Sequence, residues 1–155
     1  MPTLPIHWAL LWSTAGKIAF SYALTLPVGL WREREVHAVG IRTFPIVAMA
    51  SCGYLLIFQD VPGIDGQTMT SRVLQGLVAG IGFIGGGAIV KDGVSVTGTA
   101  TAASIWNTGA IGAAVALGKY EVAVVLAVLN LFTLQALVPL KKRLDGSSAN
   151  HNDRG

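Results

Sequence analysis

Four hydroxyls, Thr97, Thr101, Ser104 and Thr108, recur at steps of four, three and four inside a stretch that is otherwise apolar. On a helix that spacing sets them on one face, and Asn107 lies one residue off the stripe. Asn130 with Thr133, and then Gln135, bring comparable polar groups from a later apolar run. Hydroxyls and amides so placed can do one of two things. They can satisfy backbone carbonyls and join neighbouring helices, or they can line an internal site for a small ion or solute, since an amide surrounded by hydrocarbon must find a partner. The cluster of Thr97, Thr101, Ser104, Asn107, Thr108 and Asn130 is therefore the candidate intramembrane site, with interhelical bonding as the competing reading.

A second constellation is ionic. Arg32-Glu33-Arg34-Glu35 is followed ten residues on by Arg42, and Asp92 sits in a later short polar break. These charges either anchor one end of the molecule to water or close together as a charged lid that answers to ions, lipid head groups or a partner. A third is glycine: Gly76, Gly80, Gly82, Gly85, Gly86 and Gly87 contain two small-xxx-small pairs, 76/80 and 82/86. Such pairs let helices approach closely within one bundle or between protomers. The alternative for Gly85-Gly86-Gly87 is an unwound segment whose carbonyls line a site, and Lys91-Asp92-Gly93 then reads as a tight turn.

Enzymatic chemistry finds no purchase. His7, His37 and His151 are scattered, which gives neither metal spacing nor a base for a nucleophile. The glycines lack the Gly-Lys-Ser/Thr ending of a phosphate loop. The expectation is a protein that is not an enzyme and holds no cofactor and no metal. Cys52 is the sole cysteine, so no internal disulfide forms.

The elements that must carry these groups are set by composition. Charged residues make up 12% of the 155 and hydrophobic ones 52%, with a mean hydropathy of +0.60; a soluble domain this small needs more polar surface. Apolar runs fall at about residues 12–31, 43–58, 73–90, 94–117 and 122–140. All but the second reach the length that crosses roughly 30 Å of hydrocarbon at about 1.5 Å per residue. The second suffices if Arg42 snorkels at its edge, and is otherwise re-entrant or interfacial. The prediction is an all-α, polytopic bundle of five transmembrane helices over 1–144, followed by a disordered cytoplasmic tail over 145–155. Trp8, Trp12 and Trp31 bracket the first run as interfacial anchors.

No basic stretch or small-residue cleavage site marks a removable leader, so the first helix is expected to be retained. Arg32, Arg34, Arg42, Lys91, Lys141, Lys142, Arg143 and Arg154 fall on one side of such a bundle, against Lys17, Arg72 and Lys119 on the other. The N-terminus is thus expected outside and the C-terminus in the cytoplasm. The basic balance, with a pI of about 9.3, reports this topology; no aromatic-basic face suggests nucleic acid.

Four successive segments carry a family resemblance: Gly29-Leu30-Trp31-Arg32-Glu33-Arg34, Val39-Gly40-Ile41-Arg42-Thr43, Gly80-Ile81-Gly82-Phe83-Ile84-Gly85-Gly86-Gly87, and Thr101-Ala102-Ala103-Ser104-Ile105-Trp106. In order and spacing, from about residue 20 to residue 135, the chain resembles the MgtC/SapB family of bacterial inner-membrane proteins. The resemblance implies a multi-pass inner-membrane protein tied to magnesium limitation and survival inside hosts, modulating other membrane machinery. It also implies the short form, without the soluble C-terminal domain of longer members. Three positions depart from the family pattern: Trp31 stands where an acidic residue is usual, Met69-Thr70-Ser71-Arg72 replaces an Asp-Pro-x-Arg entry, and Ala100 precedes Thr101. Losing two acids weakens a cation-binding role, because hard cations want carboxylate or carbonyl oxygens.

The resulting expectation is a non-enzymatic modulator in the lipid bilayer, forming a homo-oligomer through its glycine faces and touching another membrane protein. The alternative is an oligomeric transporter or channel for a small ion or solute.

Overall fold

The computed structural model describes residues 7–36, 40–59 and 65–152, with side chains described over 7–34, 40–59 and 65–137. Five helices appear among the described residues: α1 (Trp8–Val36), α2 (Thr43–Phe58), α3 (Gly66–Gly86), α4 (Thr99–Ala116) and α5 (Tyr120–Asn152). The helical backbone of α5 passes through the segment expected as a tail from residue 145, and residues 153–155 lie outside the described ones.

The boundary between the third and fourth runs differs from the expected one. Strands β1 (Val90–Asp92) and β2 (Ser95–Thr97) pair antiparallel, Val90 opposite Thr97 and Asp92 opposite Ser95. Val90, Val94, Val96 and Thr97 are β-branched and suit a pleated ribbon, while Gly93 turns the chain at φ +58. The hairpin thus takes the end of the expected third helix and the start of the fourth. Gly98 then enters α4 at φ +82, and a Cβ there would run into the Ala88 carbonyl. Only glycine fits both demands.

Helix α4 is the axle of the bundle. It packs on α1, α2, α3 and α5, and its buried residues run from Thr101 to Ala116. Small residues make this possible: a Cβ on Gly112 would strike the Ala48 carbonyl of α2, and one on Gly109 would strike Ile81 of α3. Cys52, Leu55, Ile111, Val115, Ala123 and Ala127 form one core cluster; Val28, Phe44, Val47, Ile81, Ile105 and Leu134 form another.

Polarity is inverted relative to a water-soluble core. Ser21, Thr25, Arg32, Ser51, Thr101, Ser104 and Thr108 are buried, while Trp12, Ile57, Phe83, Val128 and Phe132 face outward. Tyr120–Leu137 of α5 is long and apolar enough to cross a membrane, with only 17% of it buried in the bundle. No other described helix meets that measure. Helix α2 is apolar but short, and α4 trades hydropathy for the hydroxyls and amide that it turns inward.

Candidate functional site

The ionic and hydroxyl constellations, read separately in the sequence, meet in space. Arg32 projects from the C-terminal part of α1 into the bundle, 6% exposed, and its guanidinium Nη2 donates to Thr101 Oγ1 at the start of α4. Its Cζ also lies 5.9 Å from the centroid of the Trp31 ring, within reach of a cation–π contact. So Arg32 is an internal group and not part of an outer lid.

Its sequence neighbours do other work. Glu33 Oε2 accepts from Ile41 N–H at 3.2 Å, placing a carboxylate at the entry to α2, where the helix dipole favours negative charge. Gly40 presses against this turn; a Cβ on it would come within 2.7 Å of Glu33 N. Arg34, Arg42 and Asp92 are exposed, and among the described residues Asp92 makes no ion pair with Arg34 or Arg42. The side chain of Glu35 lies outside the described residues.

The hydroxyl stripe is mostly real and shorter than expected. Thr97 belongs to β2, exposed, with its hydroxyl 3.5 Å from the Val90 carbonyl, because the hairpin delays α4 until Thr99. Thr101, Ser104 and Thr108 share the buried face. Thr108 Oγ1 donates to the Ser104 carbonyl at 2.8 Å, the usual way for a helical threonine to satisfy itself. Ser104 Oγ donates to Asn130 Oδ1 of α5 at 3.0 Å, and Asn107 Nδ2 donates to the Leu126 carbonyl at 3.3 Å. Between them lies a notch of about 300 Å³ that Thr133 also lines. Asn130 lines this notch, and its Nδ2 is enclosed without a hydrogen-bond partner.

The glycines divide. Gly85 is a contact point, where a Cβ would stand 3.0 Å from the Ala102 carbonyl of α4. Gly76, Gly80, Gly82 and Gly86 have nothing within 4 Å of such an atom, and 76 and 80 open onto an apolar groove of about 460 Å³ beside Ile46, Ala50 and Tyr54 of α2. The Gly85 and Gly86 carbonyls are not freed: they accept from Ala88 N–H and Ile89 N–H. Sequence reasoning missed the tight glycines of the centre, Gly109 and Gly112. Their signal was present in the small-residue run Gly109-Ala110-Ile111-Gly112-Ala113-Ala114.

At the opposite end, Lys17 Nζ and Gln59 Nε2 converge on the Ala116 carbonyl at 3.4 and 3.3 Å. Asp65 caps α3 through Gln67 N–H and Thr68 N–H and accepts from the Thr68 hydroxyl at 2.6 Å, and these bonds pull its carboxyl below the ordinary value.

Comparison with known proteins agrees with this architecture of linked motifs. The model of the MgtC family matches residues 18–143. YhiD of Escherichia coli K12, named "Putative magnesium transporter YhiD", is 33% identical over 122 residues, 76% of this chain and 57% of that protein. Protein SrpB of Synechococcus elongatus is 32% identical over 126 residues, 74% and 69% of the two chains. Protein MgtC of Brucella abortus strain 2308 is 31% identical over 138 residues, 89% and 57%. The chain thus spans a little over half the length of YhiD and of that MgtC, and no solved structure matches it. With its Arg32 and Thr101 segments inside a match that covers most of its length, the chain belongs to the MgtC family.

Proposed function

We propose that the protein is a non-enzymatic, multi-pass protein of the bacterial plasma membrane that modulates other membrane machinery when magnesium is scarce. Its family membership and the magnesium named for YhiD support the physiological setting. The inversion of polarity supports the bilayer: hydroxyls and a guanidinium inside, tryptophans and aliphatics outside. All five helices then span, with Lys17 and Lys119 outside and Arg32, Arg42 and Lys91 at the cytoplasmic end.

The observation that carries the reading is Arg32, buried on Thr101 beside the polar face of α4. An internal guanidinium takes the place of a carboxylate at this end of the bundle, and the side-chain oxygens that line the nearby notch are neutral hydroxyls and amides, a poor set for a hard divalent cation. Contact with a second copy or another membrane protein fits the open Gly76/Gly80 groove. The competing reading is transport of a small ion or solute, favoured by the unpartnered Asn130 amide.

Liposomes holding the purified protein are expected to pass no magnesium, while a strain lacking it grows poorly at low magnesium and recovers with the gene restored. Magnesium flux that disappears in Asn107→Leu would overturn the modulator reading in favour of transport.

A further inference from the structure

A cavity of about 430 Å³ opens between α1 and α2 at the end of the bundle away from Arg32. Ser13, Thr14 and Lys17 of α1 line it at helical spacing, and Gln59 stands at the far end of α2. Leu56 and Ile57 supply an apolar wall, and among the described residues no carboxylate borders it.

Lys17 is held in place there. Its ammonium donates to the Ala116 carbonyl in the last turn of α4, where the helix dipole favours a cation, and Gln59 braces the same oxygen. One of three ammonium donors is spent on that bond. Lys17 lines the cavity together with the hydroxyl-bearing Ser13 and Thr14, a set that suits a singly charged tetrahedral anion. Trp8 and Trp12, 66% and 71% exposed, lie on the same part of α1. Outward tryptophans mark the level of lipid head groups, so the polar mouth sits at phosphate depth with its apolar wall toward the acyl region.

We propose that this cavity seats an anionic phospholipid, its phosphate on Lys17, Ser13 and Thr14 and an acyl chain along Leu56 and Ile57. The proposal rests on the bilayer placement above. Basic pockets between helices recognise anionic head groups on the cytoplasmic side of membranes; here the same chemistry stands at the outer end of the bundle, with the lysine fixed by protein and not left to wander on its stem.

The test is native mass spectrometry of the full chain in mild detergent with equal phosphatidylglycerol and phosphatidylcholine. Phosphatidylglycerol is expected to be retained preferentially, and Lys17→Gln to cut that retention roughly tenfold, the loss of one charge-assisted hydrogen bond, with phosphatidylcholine unchanged. Ser13→Leu leaves the Lys17 bond to Ala116 intact and blocks the mouth, so it is expected to lose phosphatidylglycerol too, on a protein that keeps its fold. Lys119→Gln is expected to retain it. Unchanged retention in Lys17→Gln, or an equal loss in Lys119→Gln, overturns the proposal. Displacement by millimolar inorganic phosphate overturns it in favour of a soluble anion. A protein that is monodisperse without detergent and retains neither lipid overturns the bilayer placement as well.

Discussion

Arg32 shows how much a single side chain's address decides. Flanked by Trp31 and Glu33, it reads as one of a row of surface charges; the fold buries it against a hydroxyl 69 residues away. Thr101→Val removes that acceptor from a buried guanidinium. The expected cost is about 1–3 kcal/mol, read as a lower unfolding temperature in detergent, with Thr101→Ser restoring most of it. Ser104 and Asn130 were legible as members of one polar cluster because both interrupt apolar sequence; that they bond each other came from the fold. That Asn107 bonds the Leu126 backbone instead was not, since only the seating of α5 on α4 sets which carbonyl it meets.

Helices α2, α3 and α4 carry a different lesson about glycine. Gly112 touches the α2 backbone, so Gly112→Ala must push two helices apart and is expected to destabilise by about 1–3 kcal/mol. Gly80 faces open space in the monomer, so Gly80→Ala is expected to leave thermal stability unchanged or raise it by up to about 1 kcal/mol; a fall would locate a partner on that face. The sequence motif ranks these positions the other way, because small-xxx-small spacing reports helical faces and cannot tell which face has a neighbour. At the N-terminus of α3, Asp65 has a folded pKa below its ordinary value. The unfolded carboxyl titrates near roughly 3.9, so its capping contribution is present above that pH and disappears as pH falls through the lower folded value. Acid titration of the unfolding temperature is expected to show this loss in the wild type and a flatter profile in Asp65→Asn.

The whole molecule orders itself around α4, with ends distinguished by their hydrogen bonds. Arg32 meets Thr101 at one end and Lys17 meets Ala116 at the other, which makes α1 and α4 antiparallel. With Cys52 buried, cysteines introduced at Lys119 and Lys91 form a clean topology pair. A membrane-impermeant maleimide on intact spheroplasts is expected to label Lys119→Cys and spare Lys91→Cys; the reverse pattern would invert the proposed orientation. Composition already pointed to apolar helices, and the five apolar runs correspond to five helices, one of them long and apolar enough to cross a membrane among the described residues. The hairpin at Val90–Thr97 escaped because its valines count equally as hydrocarbon-loving and as strand-forming.

What the sequence determined alone was local and additive: the helical class, the positions of the main elements, and the family, through motifs whose order survives without any knowledge of contacts. Hydropathy and periodicity depend only on near neighbours along the chain. Which glycine is tight, which arginine is buried and which amide lacks a partner depend on groups far apart in sequence, and only the close packing of α4 against the other four helices decided them.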